Sequence, residues 1–567
     1  MTPWMKNMLR AFGDIAEDER LLADAPVTKA EKWLIDTCTL LLLEQSGSKH
    51  EKYDVSKPMR SVDHYYTDCW LNLDEKKLRD IQPGQVEEIN DMITKNYAIR
   101  TKALKIEQMM IKDVVFKKAI DVVLEDLPSV SASRKIVEIN LPFMTKHTNV
   151  GYKWFKNDRT AVPGTNKTYA QLTMDIAQGL AEKPEELWKW NVTEEFARYQ
   201  RGKGRLIQAV SRVVNLVLNQ LESVEIQNYK AKSPLFAGYN DAIYLKDVLI
   251  RMLLESEEQG QVLYNIDYHR YDAHVCKEWL YLRGAIAMYK CPDKRSKKLA
   301  AYRSALSTKT WLISGTLGKI VESYGRIFSG FIDTNCGGGI INALNATYLV
   351  MKQDPHYVRD IASRNKYRML VMGDDNLIRA NKDFSLPRFQ RDAKELNFEI
   401  DDASKIAFGP KFLQYRVFEW NGKLVMIYPW TRVLRSMLFK ERSSGLGPCG
   451  WTLAAYQQLS KLIEAPEFLA PVVNIIAAFD SEHLMLDKTV DQIIKGAEAE
   501  DREAEKNDSR HVSTAERLYD GDPSKAQQFT PDRKLKPNFF QEVQDVIKSV
   551  YSPAYLSNHG IQAPKLK

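Results

Sequence analysis

The chain has 567 residues, 44% of them hydrophobic and 27% charged, which allows several core-bearing units and excludes a fibrous or wholly disordered protein. A net charge of +7 permits a polyanionic partner without demanding one. The six cysteines form no CxxC pair and no histidine stands at zinc-finger spacing, so a reducing compartment is expected rather than a disulfide framework.

Residues 1–130 read as mostly helical, and residues 131–175 as loops and short strands. Helical periodicity returns over 176–260. Val262, Tyr264 and Ile266 then alternate as a short strand, followed by a helix from about Ala273 to Tyr289. Apolar runs Met369–Met372 and Leu377–Ile378 flank Gly-Asp-Asp-Asn, a hairpin signature. A helix at 386–396 and a strand at 398–400 follow. Val417–Trp420, Asn421-Gly422 and Lys423–Tyr428 form a second hairpin, since Asn-Gly is the preferred type I′ turn. Beyond Pro429 the chain reads as helical, with 497–510 a solvated helix or linker. The longest apolar run, 469–479, is far short of the roughly 20 residues that span a bilayer, so no membrane partner is expected.

The chemistry concentrates on carboxylates. Adjacent Asp374 and Asp375 repel by about 4 kcal/mol at ~4 Å and an effective dielectric of ~20. A turn tolerates that pair if it is solvated, and Gly-Asp-Asp is good turn chemistry. A second acidic element favours a cation site: Asp267 ends the strand at 262–266 and Asp272 follows it. Carboxylates from two adjacent strands suit Mg²⁺ or Mn²⁺, and two such ions can clamp an in-line phosphoryl transfer.

Asn265–Asp272 resembles polymerase motif A, Ser329–Asn342 motif B, and Val371–Asn376 motif C of viral RNA-dependent RNA polymerases, in that family's order. The Ser-Gly-x3-Thr-x7-Asn spacing is similar to that of partitivirus- and picobirnavirus-type double-stranded RNA viruses. Many positive-strand enzymes carry the asparagine where this chain has Gly338. The resemblance implies that Asp267 and Asp374 are principal metal ligands, with Asp375 auxiliary. It implies that Asp272 reads the ribose 2′-OH, which separates RNA from DNA, with Asn342 in support. Ser329-Gly330 becomes a flexible loop and Thr334 part of the nucleotide site. Thr334, Gly338, Asn342 and Asn345 would share one helix side, with Ile341, Leu344 and Tyr348 packed inward. Close approach of RNA would explain Gly337-Gly338-Gly339, unless that triplet is loop. Lys405 would be the motif D general acid. Arg201, Lys203 and Arg205 would bind triphosphate as motif F, Gly151 and Tyr152 would line a template loop, and Phe412 and Tyr415 would support the growing strand as motif E.

The implied fold is α/β, a closed right hand. Residues 1–260 and 284–325 would form fingers and fingertips, 261–283 and 326–428 the palm, and 429–567 a helical thumb. Implied partners are template and product RNA, NTPs and a viral capsid protein, in the virion interior and host cytoplasm. The rivals are a reverse transcriptase, disfavoured by Asp272, and a non-catalytic RNA-binding protein on the same scaffold, disfavoured by the intact aspartates.

Overall fold

The computed structural model describes residues 3–21, 99, 101–134, 136, 150–200, 203–314, 319–358, 367–401, 410–438, 446–479, 484–507, 511–519, 523–530 and 532–551. The chain divides into two compact units. The first comprises Met1–Leu42, Met92–Phe196 and Leu206–Leu413, and the second Leu43–Asp91, Ala197–Arg205 and Gln414–Lys567.

In chain order the elements up to residue 413 include α1 (Pro3–Leu21), β1 (Val192–Gln200), β2 (Lys203–Val210), α2 (Arg212–Lys232), β3 (Val262–Tyr264), α3 (Lys277–Lys290), α4 (Lys294–Thr308), β4 (Lys309–Ser314), β5 (Lys319–Tyr324), α5 (Thr334–Gln353), β6 (Met369–Met372), β7 (Asp375–Ala380) and β8 (Lys411–Phe412), all in the first unit except the 197–205 part of β1 and β2. Its two sheets differ in how local their pairing is. One runs in the order β2-β1-β4-β5, with Val192–Glu194 parallel to Trp311–Ile313. The expected unbroken helical stretch 176–260 is therefore wrong over 192–210. Parallel pairing with a strand so distant in sequence is invisible to local periodicity.

The second sheet, β3-β7-β6, is antiparallel. Met372 pairs with Asp375, closing a two-residue turn of Gly373 and Asp374. Tyr264 pairs with Ile378, and the same register continued brings Asp267 opposite Asp375. Gly373 stands at φ +61°, which the primed hairpin turns demand of glycine at the first turn position.

Helix α5 lies over this sheet and is buried continuously from Cys336 to Met351. Ile341, Leu344 and Tyr348 are buried as expected, but so are Asn342 and Asn345. A helix enclosed on all sides has no solvent face, so the two-faced reading fails. The expected helix at 273–289 breaks at Val275-Cys276, where extended backbone separates Tyr271–His274 from α3. Helix α1 rests on α3 and α4: the Phe12 ring meets Tyr281 edge-on at 5.2 Å, and Ile15 and Ser304 fill the space a side chain at Gly284 would need. Residues 22–98, part of the expected fingers and fingertips over 1–260, lie outside the described residues.

In the second unit, β9 (Tyr415–Trp420) and β10 (Lys423–Ile427) form the expected hairpin. Asn421 and Gly422 sit at φ +50° and +72°, the left-handed pair a type I′ turn requires. Trp420 Nε1 and Asn421 Nδ2 donate to the Glu467 carboxylate at 3.2 and 2.9 Å. The remainder is helical around a core that includes Leu453, Tyr456, Leu469, Val473, Ile493 and Phe540. The charged stretch continues helix Val490–Asn507, and Glu500 accepts from the Cys449 and Gly450 amides at the start of helix Pro448–Leu459. Among the described residues no helix is long and apolar enough to cross a membrane.

Candidate active site

The β6–β7 turn and the end of β3 present the aspartates together. Asp267 and Asp374 are exposed and Asp375 half-buried. Burial first, then the Asp374 charge, push the Asp375 carboxyl up to about 6, with Asp267 adding to the rise. Lys411 and the Asn265 amide pull it back. Beyond Asp267 the chain pairs with 399–401: Asp401 donates its N–H to the Asp267 carbonyl at 2.8 Å, and His269 donates to Glu399 at 2.9 Å.

Buried amides hold these strands in register. Asn376, fully buried, accepts from the Ile266 N–H at 3.0 Å. The Asn265 amide donates to the Asn376 carbonyl. Asn342 Nδ2 donates to the carbonyls of Gly373 and Asp374, each at 3.0 Å. Its Oδ1 accepts from Asn376 Nδ2 at 2.9 Å and from the Tyr268 hydroxyl at 3.1 Å. Asn345 Nδ2 donates to the same hydroxyl at 3.1 Å. The expected partnership of Asn342 with a ribose is thereby corrected: its amide is buried and spent within the protein. Sequence reasoning missed Asn265, Tyr268 and Asn376. Their signal was a polar group at an inward strand position beside each aspartate.

The motif B segment is laced to β2. Ser329 Oγ accepts from the Gln208 N–H at 2.9 Å, Gly330 donates to the Gln208 carbonyl at 2.9 Å, and Asn215 Nδ2 donates to the Gly330 carbonyl at 2.8 Å. A side chain at Gly330 would press on the Gln208 carbonyl. Thr334 Oγ1 lies 2.6 Å from the carbonyls of Phe328 and Phe331. It closes the turn before α5 rather than facing a nucleotide. The glycine triplet is helical, and protein crowds its first and last members. A Cβ on Gly337 would overlap the Asp333 carboxylate and one on Gly339 would stand 3.0 Å from the Phe236 ring, whereas one on Gly338 would make ordinary contact with Gly373. Close approach by RNA is not needed to explain Gly337 and Gly339.

A prediction follows for Gly337→Ala. Alanine ordinarily gains about 1 kcal/mol over glycine inside a helix. Here the Asp333 carboxylate is held by Arg283 at 2.9 Å and cannot swing aside freely. Overpacking of this kind costs about 1–3 kcal/mol, so Tm is expected to fall. A Tm at or above the parent value would refute the contact.

The other sequence-derived positions separate. Arg201 and Lys405 lie outside the described residues. Lys203 and Arg205 fall on β2. Lys411, on β8, is a described lysine whose charge bears on Asp375. Gly151 turns the chain at φ +72°. Tyr152 is buried with Phe155, Val192, Ile313 and Ile320, and Phe412 is wholly buried. Both are packing residues here, a correction to their expected contact with RNA. Tyr415 is half-buried against Tyr428, ring centroids 5.3 Å apart. Asp272 is exposed and its carbonyl accepts from the Ile327 N–H at 3.1 Å.

The donor set at the hairpin fits a hard divalent cation: its candidate ligands are carboxylate oxygens, and after burial the Asp374 and Asp267 charges raise the Asp375 carboxyl. Among the described residues, a tighter group of ligand-type atoms, within 4.8 Å of one another, lies elsewhere at Glu222, Glu225, Asp333 and Cys336. Guanidinium groups already serve that group. Arg283 bonds Glu225 at 2.8 Å and Asp333 at 2.9 Å, and Arg303 bonds Glu222 at 2.6 Å and Glu225 at 2.5 Å. We assign that group to structure, because its charges are met within the protein.

An antiparallel sheet carrying paired carboxylates at a turn, with a helix packed across it, defines a palm-type nucleotidyltransferase site. Residues 200–419, which carry Asp267, Asp374 and Asp375, match the family described as viral RNA-dependent RNA polymerase. The fold of the chain is similar to the crystal structure of the RNA-dependent RNA polymerase of a human picobirnavirus, at TM-score 0.58 and 13% identity, over 91% of this chain and 96% of that one. It is also similar to that enzyme's insertion-loop deletion mutant, at TM-score 0.53 and 13% identity, over 84% of this chain and 95% of the other. No match was found among curated protein sequences.

Proposed function

We propose that this polymerase copies RNA from NTPs with two divalent ions at Asp267 and Asp374, Mg²⁺ or Mn²⁺, and that it serves a double-stranded RNA virus. The observation that supports the reading is the antiparallel β3–β7–β6 sheet, whose β6–β7 turn carries Asp374 beside Asp375 and whose β3 leads into Asp267, the charge of which raises the Asp375 carboxyl. Bound there, the ions would stabilise the attacking 3′-oxygen and the leaving pyrophosphate oxygen. The protein's own part is to hold the aspartates at a fixed spacing and to orient the ribose. Asp272, exposed beyond the strand, would accept a hydrogen bond from the 2′-OH. The motif B spacing supports the virus type, and with it action inside the virion and in host cytoplasm alongside a capsid protein.

Primer-free extension on homopolymeric and heteropolymeric RNA, with Mg²⁺ and then Mn²⁺, tests the reaction. Template-dependent product is expected, and template-independent addition would overturn it. Asp272→Ala is expected to lower the preference for ATP over dATP by roughly 10–100-fold, the worth of a hydrogen bond to a charged group. An unchanged preference would remove Asp272 from ribose selection.

A further inference from the structure

We infer that Asn342 is a positioning residue for the metal-binding turn, with Tyr268 and Asn376 completing the device, rather than a ribose-contacting residue. The inference deepens the proposed two-metal reading and rests on it. A carboxamide has two N–H donors and an oxygen with two lone pairs. In Asn342 all four are used: Nδ2 on the Gly373 and Asp374 carbonyls, Oδ1 under Asn376 Nδ2 and the Tyr268 hydroxyl. The opposite amide orientation would set oxygen against two carbonyl oxygens, so the network itself fixes which end is which. Nothing remains to offer a substrate, and the side chain is fully buried.

The device reaches both metal ligands through their chain neighbours. On the hairpin side it grips the carbonyl of Asp374 itself and that of Gly373. The Gly373 N–H is held in addition by the Asn335 carbonyl at 3.1 Å. On the strand side it holds both neighbours of Asp267: Ile266 through Asn376, and Tyr268 through its hydroxyl, which Asn345 also bonds. One buried amide thus spans the two strands whose separation sets the distance between Asp267 and Asp374. Groups that orient metal ligands typically contribute 10–100-fold to metal affinity or activity.

Gly338 makes the division of labour physically coherent. A Cβ at Gly338 would stand in ordinary contact with the Tyr271 ring and the Gly373 backbone, and the Gly338 carbonyl accepts from the Tyr271 hydroxyl at 2.8 Å. The helix turn facing the hairpin is therefore packed by protein, and a polar side chain one turn further on stabilises that packing.

The test uses the full chain with Asn342→Asp, Tyr268→Phe and, in parallel, Asp272→Ala. Asparagine to aspartate keeps shape but removes both donors from the turn carbonyls. Tyrosine to phenylalanine removes one hydroxyl and keeps the ring. Three quantities are read: kcat and KM for ATP, the ATP-over-dATP preference, and Mn²⁺ binding followed by thermal upshift without substrate. Asn342→Asp is expected to lower kcat and Mn²⁺ affinity by roughly 10–100-fold, with the ATP-over-dATP preference unchanged. Tyr268→Phe should show the same pattern more weakly, and it keeps the test alive if Asn342→Asp fails to fold. A lost sugar preference with intact Mn²⁺ binding, matching Asp272→Ala, would overturn the inference and return Asn342 to the ribose. Parental kcat and Mn²⁺ binding in Tyr268→Phe would also overturn it. Absence of template-dependent synthesis in the parent chain would sink the polymerase reading itself, whereas Mn²⁺ binding would still report on the turn.

Discussion

Asp374→Ala is expected to reduce nucleotide incorporation by roughly 10³-fold or more while leaving RNA affinity within a few-fold of the parent. Metal-assisted charge stabilisation contributes several kcal/mol in such reactions, and each 1.36 kcal/mol is tenfold in rate. Asp374 sits exposed at the turn and its backbone carbonyl is fixed by Asn342, so truncation removes a ligand without disturbing the sheet. Asp267→Ala should match it, because Asp267 is exposed at the facing strand end. Asp375→Asn should cost less: the carboxyl is half-buried and already raised to about 6 by its surroundings, so a neutral group suits the site in part. Single-nucleotide extension and fluorescence anisotropy on labelled RNA separate chemistry from binding. Extension by Asp374→Ala within tenfold of the parent would show that the metal site has been misassigned.

The second large effect concerns stability, in the buried charges beside the start of α5. Three acids, Glu222, Glu225 and Asp333, face Arg283 and Arg303. With all five charged the cluster would carry a net negative charge in a dry interior. Burial, then Asp333, push Glu222 well above the usual carboxylate range, with Arg303 only partly offsetting them. For Glu225 burial acts upward too, but Arg283 and Arg303 together outweigh it and hold it low. Glu222 is therefore the acid of the cluster that takes up a proton most readily.

The two glutamates consequently have opposite linkage. Glu225, depressed in the fold, contributes stability above its unfolded pKa that is lost as pH falls through its folded value. Glu222, raised in the fold, contributes stability below its unfolded pKa that is lost as pH rises through its folded value. Glu225→Gln is expected to destabilise by about 3–5 kcal/mol at neutral pH, as when one partner of a buried pair is removed. Glu222→Gln removes the carboxyl whose charge the cluster holds least well and should stay within about 1 kcal/mol while flattening the alkaline decline. Urea midpoints between pH 5 and 9 measure both. Equal losses for the two variants would refute the placement of the proton.

Both hairpins were legible because their signals are local. Gly373 and the Asn421-Gly422 pair need positive φ, and apolar alternation flanks each turn. The aspartates were legible because like charges adjacent in sequence are costly without a cation. Strand β1 was misread because parallel pairing with 311–313 decides it, and β2 lies at the sheet edge beside β1. Tyr152 and Phe412 read as RNA-contacting aromatics because motif position says nothing about burial; the fold encloses both.

By itself the sequence determined which turn presents the paired carboxylates and which family the motifs resemble. Composition, turn propensity and short-range charge repulsion suffice for that. Tertiary structure alone decided what the polar residues of α5 do. A helix buried on every side turns each asparagine inward to whatever acceptor lies there, and for Asn342 those acceptors are the carbonyls of the catalytic turn. It also decided that Glu222, Glu225, Arg283, Arg303 and Asp333 form one cluster, because long-range packing brings their separate chain segments together and burial forces their charges to balance.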